Sequence, residues 1–193
     1  MSDTPKLLSV RVYGDAMLRM KALPVRNFDE KLQKLVRDMT HTMYLRDGVG
    51  LAANQIGHNQ RLFVIDMDYS KDNSKPNPVV LINPIIKSGE GEYEIEEGCL
   101  SVPGIYAKVK RFDKISYSYF DKEGNEHNEE AEGYKAVVIQ HEYDHLNGIL
   151  FIDKISKLSL LKIKRKLKLI ESTAVDGKNI REDIYDPDAP KKG

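Results

Sequence analysis

Three things are scarce in this chain of 193 residues. It has one cysteine, Cys99, so no disulfide can close within it. It has no apolar run long enough to cross a bilayer, and the opening "MSDTPKLLSV" lacks the apolar centre of a secretory signal. It has no net charge, with 30 basic against 30 acidic residues. The first two absences argue against a disulfide-stapled secreted domain and a membrane-spanning protein, and so for a cytoplasmic one. The third conceals an uneven distribution. Between Lys154 and Ile170 stand seven cations and no acid, whereas residues 1–153 carry 19 bases and 24 acids. An acidic body bears one basic segment.

What is present reads as one domain, residues 1–170, followed by a polar, loosely ordered tail, residues 171–193. The stretch 28–46 places Leu32, Leu35, Val36, Met39 and Met43 at helical spacing behind Asp29, a good N-cap. "DGVGLAANQIG" (47–57) reads as a turn and close-packed segment, with small residues throughout. Strands are predicted at 61–67, 79–86, 105–111 and 114–120, with a polar loop at 68–78. A hairpin turn at 121–126 leads into a returning strand. Helical periodicity resumes at 134–148, apolar around much of its circumference and closed by Gly148, so a central, buried helix is expected. A last helix, 158–170, has the stripe Leu160, Ile163, Leu167 and Ile170, with cations opposite. Short strands interleaved with a few helices, without βαβ alternation, give an α+β fold.

The central helix carries "QHEYDH" (140–145). Residues four apart on a helix differ by about 40° around its axis, so His141 and His145 can face one ion. Glu142 sits at the adjoining edge, where a carboxylate can take a proton from a bound water. The pair is equally compatible with two satisfied histidines on an ordinary helix, although imidazoles and a carboxylate in apolar surroundings are costly without partners. A catalytic centre needs a third protein ligand. No histidine follows His145, and the soft ligand upstream is Cys99 in "EEGCLS". A lone cysteine is more often a small buried hydrophobe, but here it completes a Cys-His-His set. His41, His58 and His127 read as ordinary surface residues.

Together "GVGLAANQ" (48–55), "EGCLS" (97–101) and "QHEYDH" (140–145) resemble the peptide deformylases, in the family's order and from about Leu7 to Ile170. The resemblance implies antiparallel sheets around a central metal-binding helix, with helices before and after it. It implies an enzyme that removes the formyl group from the initiator methionine of nascent polypeptides, with metal-bound water as nucleophile. Cys99, His141 and His145 would be the metal ligands, and Glu142 the general acid/base. The Gln55 amide and the Leu100 backbone N–H would form the oxyanion hole. Fe(II) is the family's usual metal, with zinc, nickel or cobalt as alternatives. Val49, Ile95, Val137 and Val138 align with the methionine pocket, and Gly50 and Gly98 would let a peptide backbone approach. Glu97 and Arg111 are expected to pair, either under the cysteine loop or at the surface. Asn54 stands where the family is variable, Tyr143 replaces a smaller aliphatic common in the motif, and Tyr106 stands where some relatives carry arginine. The basic helix 158–170 is either a solvated face or a contact to the ribosome. Two other classes stay in view: an endopeptidase of the HExxH type, which would not need Cys99, and a non-catalytic metal- or RNA-binding protein.

Overall fold

The computed structural model describes residues 4–68 and 75–181. Most of the predicted polar loop 68–78 and the last twelve residues of the predicted tail lie outside that range. The described chain forms nine strands and three α-helices: β1 (Val10–Arg11), α1 (Glu30–Leu45), β2 (Gly50–Ala52), β3 (Leu62–Ile65), β4 (Val79–Glu90), β5 (Tyr93–Glu97), β6 (Ala107–Arg111), β7 (Lys114–Phe120), β8 (Glu126–Glu132), α2 (Gly133–His145), α3 (Lys157–Glu171) and β9 (Ile180–Arg181). The strands make a five-stranded sheet in the order β2-β3-β4-β7-β8 and two ribbons, β5-β6 and β1-β9. Every pairing between these strands is antiparallel. The α+β reading holds.

Local chemistry explains the elements. The Asp29 carboxylate accepts from the Leu32 N–H at 3.0 Å and starts α1. The apolar stripe of α1 is buried as predicted, with Met39 and Met43 fully enclosed. Strand β4 tolerates "NP" at its centre because the register shifts there. Asn83 takes a positive φ of 51°, and its amide clamps both polar groups of the Val25 backbone at 2.8 Å. Beyond the C-terminal end of α2, Gly148 has φ of 72°. A Cβ there would lie 2.5 Å from the Arg19 carbonyl oxygen, so no other residue fits.

Helix α2 packs on the large sheet, against β2, β3, β7 and β8. Its Ala136, Val138 and Ile139 share a core with Phe63, Leu81, Ile115 and Leu146. Four polar residues of the helix, Gln140, Glu142, Asp144 and His145, are buried as well. Gln140 is satisfied by the Phe112 backbone; the other three belong to the site described below.

Two expectations need correction. On α3, Leu167 is buried and Ile163 and Ile170 pack beside it, but Leu160 is 40 % exposed. The anchoring stripe is shorter than its spacing implied, because the N-terminal end of α3 overhangs the body. The tail boundary at residue 170 also fails for the described part. Residues 180–181 pair with β1, and Asn179 is only 3 % exposed. Two further elements, β1 and β5, carry too little apolar pattern to be read. The alternation in β5 is one of charge, its Glu94 reaching Lys108 on β6 at 3.6 Å.

Candidate metal centre

The cysteine loop following β5 and the C-terminal half of α2 meet at the inner end of a cleft. Cys99 Sγ lies 3.2 Å from His145 Nε2. One ligand atom each from Cys99, His141 and His145 falls within 4.8 Å of the other two, the one such cluster among the described residues. Ligands held about 2.0–2.3 Å from a common ion stand roughly 3–4 Å apart, so the spacing suits a single cation.

A second layer of polar groups orients these atoms. His141 Nδ1 donates to Glu97 Oε2 at 2.8 Å, which leaves Nε2 for an ion. Glu97 is gripped in turn by Arg111, through Nε at 2.7 Å and Nη2 at 2.9 Å. Arg111 Nη1 donates to Asp144. The predicted Glu97–Arg111 pair is therefore buried under the loop, not at the surface. Asp144 was missed by sequence reasoning. Its signal was an acid inside a buried histidine turn, which needs a cation nearby.

Charge follows geometry. Burial would raise the Glu97 carboxyl, but hydrogen bonds from Arg111 and His141, and their charges, hold it down at about 2. Burial pulls His141 toward its neutral form, yet hydrogen bonds with Cys99 and Glu97 outweigh it and hold that ring well above its ordinary value. His145 is pushed well below, by burial first and then by the charges of His141 and Arg111. Burial lifts Glu142 to about 7, against the lowering effect of the His141 charge. A carboxyl poised near neutrality can both accept and return a proton.

Gln55 reaches the same point from the 3₁₀ turn Ala53–Ile56. Its Oε1 accepts from the Ala52 N–H at 2.8 Å. That fixes the amide with Nε2 directed at Ser101 Oγ, 3.2 Å away, and at Cys99 Sγ, 3.5 Å away. The cleft has a volume of about 510 Å³, within the usual size of a small-molecule site. Val49, Gly50, Gln55, Ile95, Gly98, Cys99, Leu100, Val137, Val138, His141 and Glu142 all line it. His145 does not; it sits behind the cysteine, 1 % exposed. Tyr106 and Tyr134 form an exposed aromatic rim, of which sequence reasoning singled out Tyr106 alone.

The two glycines are also required by the packing of the protein's own side chains. A Cβ on Gly50 would meet Glu142 Oε1 at 2.5 Å, and one on Gly98 would meet the Tyr106 ring at 2.5 Å. The space belongs to the protein's own side chains. Among the described residues β2 is an edge strand of the large sheet and β5 has one unpaired side.

Whether the residues fit a metal can be tested on polar atoms left over. Among the described residues Glu142 Oε2 is buried without a hydrogen-bond partner, in a cluster of thiol, imidazole and carboxyl that costs free energy unless completed. A thiolate and two imidazoles suit a borderline-soft divalent ion. They fit.

The family described as polypeptide deformylase matches residues 7–160. The chain belongs to the polypeptide deformylase family. It is similar to the peptide deformylase of Alkalilimnicola ehrlichii, 44% identical over 171 residues, covering 88% of this chain and 94% of the relative. It is similar also to that of Thermotoga maritima, 47% identical over 165 residues, covering 85% and 96%. Among solved structures, the peptide deformylase from Legionella pneumophila superposes with a TM-score of 0.78 at 43% identity, covering 88% of this chain and 96% of that one. The one from Synechococcus elongatus, in complex with actinonin, gives 0.78 at 39% identity, covering 90% and 94%. In this deformylase chain Tyr143 stacks under the Arg61 guanidinium at 5.0 Å. Asn54 is fully buried and donates to the His145 carbonyl. Neither departure displaces a candidate ligand.

Proposed function

We propose that this enzyme removes the N-formyl group from the formyl-methionyl start of nascent polypeptides and releases formate. The observation that carries the reading is the meeting of the Cys99 sulfur with His141 and His145, beside Glu142, at the inner end of the cleft of a deformylase-family chain. A divalent cation held by Cys99, His141 and His145, Fe(II) by the family's habit with zinc, nickel or cobalt as substitutes, would polarise the formyl carbonyl and acidify water beside it.

The chain's own groups do the rest. Glu142 takes the proton of the attacking water and returns it to the departing amine, a task its near-neutral carboxyl suits. The Gln55 Nε2–H and the Leu100 backbone N–H donate toward the oxygen that becomes negative; losing one such donor typically costs about 3 kcal/mol of transition-state stabilisation. Val49, Ile95, Val137 and Val138 make the apolar slot for the methionine side chain. The free edges of β2 and β5 hold the peptide as an added strand. A thiolate ligand favours the reducing cytoplasm as the compartment. The exposed cations of α3 serve as a contact to the ribosome.

The test is a formyl-Met tripeptide assay under anaerobic conditions with iron- or nickel-loaded protein. Cys99→Ser should lose metal, and Glu142→Ala should keep metal and lose nearly all turnover. Cleavage of internal peptide bonds, unaffected by Cys99→Ser, would replace this reading with an endopeptidase.

A further inference from the structure

The family match stops at residue 160, yet the chain returns to the site nearly twenty residues later. Asn179, buried between α3 and β1, has every polar atom engaged. Its side-chain Nδ2 donates to the Tyr13 carbonyl and to the Ile170 carbonyl, both at 2.7 Å. Its Oδ1 lies 2.9 Å from the Thr173 hydroxyl. Its backbone N–H donates to Asp15 Oδ2 at 3.0 Å, and its carbonyl accepts from the Val12 N–H at 2.9 Å. The Tyr13 peptide thus held at its carbonyl end donates its own N–H to the Ser101 carbonyl at 2.7 Å.

Ser101 is fully buried and sits at the centre of the cysteine loop. Its backbone N–H points at Cys99 Sγ, 3.4 Å away, and its hydroxyl accepts from Gln55 Nε2. Asn179 is therefore three hydrogen-bonded links from the thiolate and from the amide assigned above to the oxyanion. Gly14 makes the close approach feasible: with φ of 99°, its missing side chain leaves Glu171 Cα 3.1 Å from where a Cβ would stand.

We propose that Asn179 is a positioning residue of the reaction, a C-terminal clasp that sets the cysteine loop through Tyr13 and Ser101. The inference rests on the metal reading above. Only a short amide fits this point. Aspartate would set an oxygen against two carbonyl oxygens, and leucine would take the donor from the Tyr13 carbonyl, the Ile170 carbonyl keeping its bonds from Thr173.

The clasp is testable with cobalt(II) as the probe ion, because a thiolate-to-cobalt charge-transfer band reports on Cys99 directly. Asn179→Leu and the gentler Asn179→Asp should shift or weaken that band. Both should speed cobalt loss to a chelator by about 10-fold or more, the usual effect of removing a group that orients a ligand, and lower kcat more than they raise KM. Leu32→Ala, in the core under α1, serves as the control: it should cost thermal stability and leave the band unchanged. Should Asn179→Leu fail to fold, Asn179→Asp and Thr173→Val carry the test, the latter with a smaller effect in the same direction. A native band and a native rate of cobalt loss in the folded Asn179 variants would overturn the clasp. A native protein that binds cobalt without the band would overturn the metal centre instead.

Discussion

Glu142 occupies the volume that a side chain on Gly50 would need: a Cβ at Gly50 would lie 2.5 Å from Oε1 and 2.9 Å from both Cδ and Cγ of the carboxylate. One edge strand of the sheet is thus shaped around the group proposed to move the proton. The glycine is required by space, not by backbone conformation. Gly50→Ala should therefore leave the fold in place and push Glu142 off its seat. A misplacement of that order costs roughly 100-fold in rate. We expect kcat to fall by about that factor, with metal content unchanged because the three ligands are untouched. Equal kcat in the two proteins would show that Glu142 has freedom the packing denies.

Arg111 is the single cation serving both Glu97 and Asp144 from within the core, at 5 % exposure. Lys154 reaches Asp144 from the rim at 3.3 Å and cannot reach both. Arg111→Met leaves a buried carboxylate uncompensated, a change that costs about 3–5 kcal/mol. Urea unfolding of the metal-free protein should show a loss of that size. Arg111→Lys should be intermediate, keeping the charge but not the two-pronged grip on Glu97. Because Glu97 orients His141, both variants should also release metal faster than the native protein. Unchanged stability in Arg111→Met would mean the acids are satisfied from elsewhere.

How much of this was legible in advance can be judged from the same residues. The ligand set was readable because its chemistry is rare: one cysteine, and two histidines a helical turn apart. The central helix was readable because its apolar residues run around its circumference. The support behind the ligands was only half readable. Glu97 and Arg111 stand 14 positions apart, a separation that says nothing of burial until β5 and β6 pair Glu97 with Ala107. Nor could composition place Asn179. A polar tail reads as loosely ordered on average, and a single asparagine that satisfies three backbone partners does not alter that average. Gly50 was read for the room its missing side chain leaves a peptide backbone; only coordinates could show that a Cβ there would collide with Glu142.

Glu129 accepts from both Tyr117 and Tyr119, at 2.8 and 2.9 Å. Burial first, then the hydrogen bond to that carboxylate and its charge, raise both phenols well above their ordinary value of 10.0. A phenol raised on folding stabilises the native state below the ordinary phenol range, and that contribution is lost as pH climbs past it. In an alkaline titration followed by phenolate absorption, Tyr117 and Tyr119 should stay silent while exposed tyrosines ionise. They should then titrate together with unfolding. The double variant Tyr117→Phe, Tyr119→Phe should abolish the late component and leave the early one. A native protein whose tyrosines all ionise in one early step would contradict this.

The charge on α3 makes a separate demand. Lys162, Lys164, Arg165, Lys166 and Lys168 are all exposed, and Leu161 and Leu169 stand among them at 65 % and 72 % exposure. Lys154, counted with this segment in the sequence, instead pairs with Asp144 at 3.3 Å. Cations that neutralise phosphates release bound counterions, so binding to an RNA surface weakens steeply with salt. Co-sedimentation with ribosomes should therefore be strongest at low ionic strength. Reversing Lys164, Arg165 and Lys168 to glutamate should both weaken it and flatten its salt dependence, each lost phosphate contact lowering the slope by about 0.7–0.9. Deformylation of a free formyl-Met peptide, measured on the same samples, separates loss of docking from loss of fold. If the reversed protein pelleted with ribosomes as the native one does, at every salt concentration, the basic face would be a solvated surface and nothing more.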